Sequence, residues 1–154
     1  MPASRWIIEC EWYHVHHDIY PVEITLLSVN NPSDANNCCT YYIHYPYNYY
    51  NNLTTRYQYS RHGIRWTNGD ETLYQVMYKL GKRILAGDIV YVKGLEKCKV
   101  VQNWLTQGVK VVEILNAPSL KSIPGCIDKS CDIHKQHLDL SCSQRKAYKL
   151  LSYV

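Results

Sequence analysis

Phenylalanine is absent from this 154-residue chain, which carries fifteen tyrosines instead. The aromatic part of its core must therefore be built with tyrosine. Also missing is any apolar run near the roughly 18–20 residues that a bilayer span requires, so no membrane partner is expected. The opening MPASRWIIECEWYHVHH places acids and histidines too early for a secretory signal. An NLT sequon at Asn52 to Thr54 means nothing without one, and the expected location is the cytoplasm, the nucleus or both. Repeats, low-complexity tracts and evident linkers are lacking, and the length suits a single domain, 1–154, with one hydrophobic core. Strong charge is lacking too: a net charge of +4 permits nucleic-acid binding without requiring it. Seven cysteines, an odd number, are read as buried small hydrophobes or metal ligands in a reducing compartment. Cys10, Cys38, Cys39 and Cys98 are assigned to the first group.

What is present reads first as strands. RWIIECEWYHV (5–15) alternates and is rich in β-branched and aromatic residues. YPVEITLLSV (20–29) follows a short HHDI turn, and CCTYYIHYPY (38–47) follows the turn signal NNPSDANN, together an antiparallel meander. YNYYNNLTTRYQYSRHGIRWTNGD reads as an extended polar and aromatic surface segment. From Glu71 the period is helical, with Leu73, Val76, Met77, Leu80 and Ile84 on one face, Asp70 or Thr72 as N-cap and Gly87 closing the end. DIVYVKG (88–94), LEKCKVVQNWL (95–105) and VKVVEIL (109–115) predict a right-handed parallel β-α-β unit. SQRKAYKLLSYV predicts a last helix, capped by Ser141 and Gln144. The fold class expected is α/β: a mixed sheet flanked by helices. This is the ribonuclease H-like order of elements, in the variant of DnaQ-type 3′–5′ exonucleases, although many functions share such sheets.

Before the last helix lies CDIHKQHLDLSC, in which Cys131, His134 and Cys142 form C-x2-H-x7-C. A closed structural zinc site needs four ligands. Cys126 would complete a local loop. Glu23 is the distant alternative, a carboxylate on an apolar strand where a cation would offset the cost of burial. A solvated loop with incidental cysteines, and a Glu23 facing solvent at a sheet edge, are the plainer readings.

At these residues the sequence resembles the Maelstrom domain, a DnaQ-like, ribonuclease H-like module of the germline piRNA pathway of animals, known for a Glu-His-His-Cys-His-Cys series. YPVEI resembles its P-x-E-I strand and supplies Glu23; YYIHYPY places the first histidine at His44, SRHGI the second at His62, and CDIHKQHLDLSCSQRKAYKLL matches the C-terminal motif. The resemblance runs in order from about residue 5 to the C-terminus. It implies structural zinc held by Glu23, Cys131, His134 and Cys142, with His44 and His62 nearby as structural or nucleic-acid-facing residues. It also implies single-stranded RNA as ligand, a role in piRNA-guided transposon silencing, protein partners in a silencing complex, and weak RNA cleavage at most. Many family members carry an HMG box beside this domain; the present chain reads as a divergent or stand-alone copy.

Exonucleases of this fold hold two divalent ions with four carboxylates. Glu9 and Glu11 have the spacing of the first-strand pair, on one face of the strand. The commoner origin of such spacing is solvent-facing glutamates on an edge strand. Glu96 is available as a third acid, but the last helix has no acid and holds Arg145, Lys146 and Lys149. Two-metal exonuclease chemistry is therefore not expected. Metal-independent cleavage would draw on His44, His62, His14, His16 or His17 as general acid or base, with nothing to select among them.

Residues 45–66 interleave Tyr45, Tyr47, Tyr49, Tyr50, Tyr57, Tyr59 and Trp66 with Arg56, Arg61 and Arg65, a mixture suited to unpaired bases and phosphates. A second basic group comprises Lys79, Lys82, Arg83, Lys93, Lys97 and Lys99. Arg61, Arg65 and Lys97 are the residues assigned to RNA. An active metal-dependent nuclease with a rearranged acidic site (Glu9, Glu11, Glu96), and a protein-interaction scaffold, are the alternative functions.

Overall fold

The computed structural model describes residues 3–46, 52–119 and 142–154. Its strands are β1 (Arg5–Val15), β2 (Asp18–Ser28), β3 (Cys38–Tyr42), β4 (Ile89–Val92) and β5 (Lys110–Glu113). Its α-helices are α1 (Leu53–His62), α2 (Leu73–Arg83), α3 (Leu95–Trp104) and α4 (Ser143–Leu150), the last continuing as a 3-10 turn over Leu151–Tyr153. The strands form one sheet in the order β3-β2-β1-β4-β5. β1, β2 and β3 pair antiparallel, as the short turns between them require, while β1-β4 and β4-β5 pair parallel. An antiparallel meander and a parallel β-α-β unit, both expected, are thus present.

β1 lies at the centre of this sheet, not at an edge. Trp6 to Cys10 are all buried, because helices cover both faces. On one face Ile8, Cys10, Ile24 and Leu26 pack with Val76, Leu80 and Ile84 of and just after α2, and with Val101 of α3. On the other, Ile7 and Leu27 pack with Ala147 and Leu150 of α4. The β1-β2 register slips between Glu11 and Trp12, and beyond the slip Tyr13 and Val15 join the core of Ile8 and Cys10.

Tyrosine and tryptophan fill the core in place of phenylalanine, with their polar atoms satisfied. Tyr13 stacks on Trp66 at 4.3 Å, and Tyr20 and Tyr45 meet Trp66 edge-on. The hydroxyl of Tyr13 donates to the Ile64 carbonyl and that of Tyr45 to the Pro21 carbonyl. Tyr45 and Trp66, read above as a surface for bases, are therefore buried packing residues.

The supposed extended segment after residue 46 contains α1. An Asn52–Thr55 capping box starts it, and Gly63 at φ 69° ends it by donating its N–H to the Tyr59 carbonyl. Only Thr55 and His62 of its ten residues are buried, so no apolar stripe announced it. α2 begins at a Thr72–Gln75 capping box, settling the choice against Asp70. It ends at Ile84, before Gly87. β3 ends at Tyr42 rather than Tyr47, and Ile43 makes a lone bridge to Glu71. Gly69 sits against that segment so closely that an added Cβ would overlap the Ile43 carbonyl carbon and the His44 amide nitrogen. Gly69→Ala is accordingly expected to lose about 2–3 kcal/mol in urea unfolding, with an unchanged m-value, since backbone cannot yield as a side chain can.

Candidate functional site

The face of the sheet under α4 carries three glutamates. Across the β1-β2 pair, Glu11 stands opposite Glu23, Glu9 opposite Thr25, and Ile7 opposite Leu27. Glu9 and Glu23 are completely buried. Carboxylates in such a place require compensation, because desolvation opposes their charge. For Glu9 and Glu11 the compensation comes from two lysines distant in sequence.

Lys97, in the first turn of α3, places its ammonium 3.2 Å and 3.1 Å from the two oxygens of Glu9. It reaches Glu9 because β4 runs parallel beside β1 and ends one step short of it. Lys146, on α4, lies 3.2 Å from Glu9 and also donates to Glu11. Burial pushes the Glu9 carboxyl up, but the two ammoniums outweigh it and hold the group below the ordinary carboxylate range. Burial likewise depresses the Lys146 ammonium, and the facing carboxylates of Glu9 and Glu11 more than reverse this, raising it well above a free lysine. The neighbouring Cys10 thiol is pushed up to about 12, chiefly by burial, and is unreactive at neutral pH.

This cluster corrects the reading of Glu9 and Glu11 as solvent-facing edge residues. Glu9 is inside, and Glu11 retains 17% of its side-chain exposure. The third proposed acid, Glu96, is elsewhere: its side chain is 63% exposed and approaches His14 at 3.5 Å. Consecutive helical residues point about 100° apart, so with Lys97 directed at Glu9, Glu96 is turned away from the first-strand acids and toward His14 at the end of β1. Lys97, assigned to RNA by sequence, is committed to Glu9. No acid-rich pattern revealed these lysines; the available signal was an acid-free, basic last helix.

Glu23 occupies the start of α4. Its Oε1 accepts the Ser143 N–H at 2.7 Å, beside buried Cys142, which is the N-cap residue. A carboxylate there complements the positive end of the helix. The expected capping box with Gln144 falls on Ser141, which lies outside the described residues; the N-cap position here is Cys142. Thr25 completes the joint, with Oγ1 2.6 Å from the Ser143 hydroxyl and 2.9 Å from that of Thr40. Glu23 and Cys142, two of the four residues implied as zinc ligands, are thus brought to one place. Cys126, Cys131 and His134 lie outside the described residues. Among the described residues, no three His, Cys, Asp or Glu side chains gather as a metal-holding group.

The two family histidines are separated in role. His62 is buried, its Nδ1 accepting the Ile64 N–H at 3.0 Å and its ring edge-on to Tyr13. His44 is partly exposed and bonds through Nδ1 to the Thr67 carbonyl at 3.1 Å. Arg61 and Arg65 are exposed on and just after α1. The other basic residues do not gather: Lys79 pairs with Glu71, Lys82 lies over the Tyr78 ring, and Arg83 donates to Cys39 Sγ and to the Asn36 carbonyl. Cys38, Cys39 and Cys98 are half-buried thiols rather than the fully buried hydrophobes expected.

Among the described residues, no helix is long and apolar enough to cross a membrane. The sequence matches no protein-family model and no curated protein.

Proposed function

We propose that this chain is a ribonuclease H-like domain of the Maelstrom type, braced by zinc, that binds single-stranded RNA and has lost two-metal hydrolysis. The strand order β3-β2-β1-β4-β5, with a meander on one side of β1 and a parallel pair on the other, supports the fold assignment. The observation that carries the functional reading is the placement of Lys97 and Lys146 on Glu9 and Glu11. Two-metal catalysis needs carboxylates from several elements converging on the ions. Here α3 and α4 deliver ammoniums to the first-strand acids instead, and a cation could enter only by displacing a buried ion pair.

Glu23 and Cys142 fit a zinc site chemically, as a carboxylate and a thiol adjoining at the start of α4. With Cys131 and His134 they would hold the ion, which would tie β2 to the last helix. The cellular setting follows the resemblance: cytoplasm or nucleus, within a transposon-silencing assembly.

End-labelled RNA incubated with the protein and Mg2+ or Mn2+ is expected to stay intact, while RNA binding weakens steeply with salt. Metal-dependent degradation abolished by Glu11→Gln would establish the nuclease reading instead. Absence of RNA binding would favour a protein scaffold.

A further inference from the structure

We infer that α1 is the helix that receives the RNA strand, with phosphates on Arg61 and Arg65 and an unpaired base on Tyr57. The inference rests on the RNA-binding reading above and names its surface.

Charge placement points there first. No Asp or Glu occurs between Asp34 and Asp70, and that stretch holds Arg56, Arg61 and Arg65. Those three arginines supply +3 of the net +4, leaving +1 for all remaining residues. Three lysines elsewhere are spent within the fold, Lys97 and Lys146 on buried glutamates and Lys79 on Glu71. Among the described residues, no carboxylate pairs with Arg61 or Arg65. An acid-free face with unneutralised arginines attracts a polyanion.

The helix is also built to present side chains rather than to bury them. Its docking is polar: the His14 N–H donates to Gln58 Oε1 at 3.1 Å, and Gln58 Nε2 donates to the His14 carbonyl at 3.5 Å. Leu53 and Tyr57 are 82% and 63% exposed. Leu53, Tyr57 and Arg61 recur every four residues and so share one exposed stripe. An exposed ring one helical turn from the Arg61 guanidinium suits a strand whose bases are unpaired, since stacking needs an open base face and the cation needs a phosphate. A duplex would satisfy the arginines and leave the ring without a partner.

The test is fluorescence anisotropy with a labelled mixed-sequence single-stranded RNA of about 20 nucleotides, and an abasic strand of equal length, against the full chain. Arg61→Ala/Arg65→Ala is expected to weaken RNA binding about ten-fold or more and to flatten the log–log salt slope by about 1.4, two contacts at 0.7 each. Tyr57→Ala is expected to weaken RNA binding about ten-fold without changing the slope, and Tyr57→Trp to preserve it. All three variants alter exposed residues, so unchanged melting temperatures accompany these effects. RNA binding by wild type that survives Arg61→Ala/Arg65→Ala with an unaltered slope overturns α1 as the surface while leaving the RNA reading intact. Equal affinity for the abasic strand overturns the base on Tyr57. No binding by wild type removes the RNA reading and this inference together.

Discussion

Lys146→Met is expected to destabilise the protein by about 3–5 kcal/mol, the usual result of stranding a buried charge by deleting its partner. For a domain of this size that lowers the melting temperature by roughly 10 °C. The mechanism is specific. Lys146 bridges Glu9 and Glu11 while itself almost fully buried, so its loss leaves Glu9 dependent on Lys97 alone and Glu11 without its ammonium. Replacing both charges should be milder than removing one, so Glu9→Gln/Lys146→Met is expected to be more stable than Lys146→Met. A double variant as unstable as the single one would show that packing of the lysine stem, not charge pairing, is what α4 depends on.

The same pair sets the acid limb of the stability curve. Because the folded-state Glu9 carboxyl lies below its ordinary range, the unfolded chain binds that proton first as the pH falls. Its contribution is therefore complete above the unfolded pKa and drains away as the pH drops through the folded one. Lys146 is shifted in the opposite direction, and its contribution is lost only far into the alkaline range. Urea unfolding followed from neutral to acid pH should accordingly show a shallower acid limb for Glu9→Gln/Lys146→Met than for wild type.

Much of the frame was legible because local signals and tertiary demands agreed. The alternation over 5–15 and the short turn before 20–29 gave β1 and β2, and the helical period from Glu71 gave α2, with its cap left between Asp70 and Thr72. α1 was not legible, since a helix docked by Gln58 and His62 rather than by an apolar stripe shows no period. The burial of Glu9 was hidden for a different reason. Glutamates at alternate positions look alike on an edge strand and on a central one; only the β1-β4 pairing decides. Lys146, 135 residues from Glu11, acquires its role solely through that topology. The start of α4 teaches the same lesson: a cap sought within the local sequence is supplied by Glu23, 120 residues away.

That joint leads to the second large effect. On the proposed zinc reading, elemental analysis should find about one zinc per chain in wild type and in Cys126→Ser, with clear loss in Glu23→Gln. The amide oxygen of glutamine can still accept the Ser143 N–H, but it is a far poorer metal ligand than a carboxylate, so the substitution separates capping from coordination. Structural zinc contributes directly to folding, and chelation should then lower the melting temperature of wild type well beyond that of zinc-poor Glu23→Gln. Loss of zinc in Cys126→Ser with retention in Glu23→Gln would instead define a local loop site. Glu23 would then be a remote helix cap and nothing more, and the resemblance to the Maelstrom domain would lose the residue that joins its strand to its C-terminal motif.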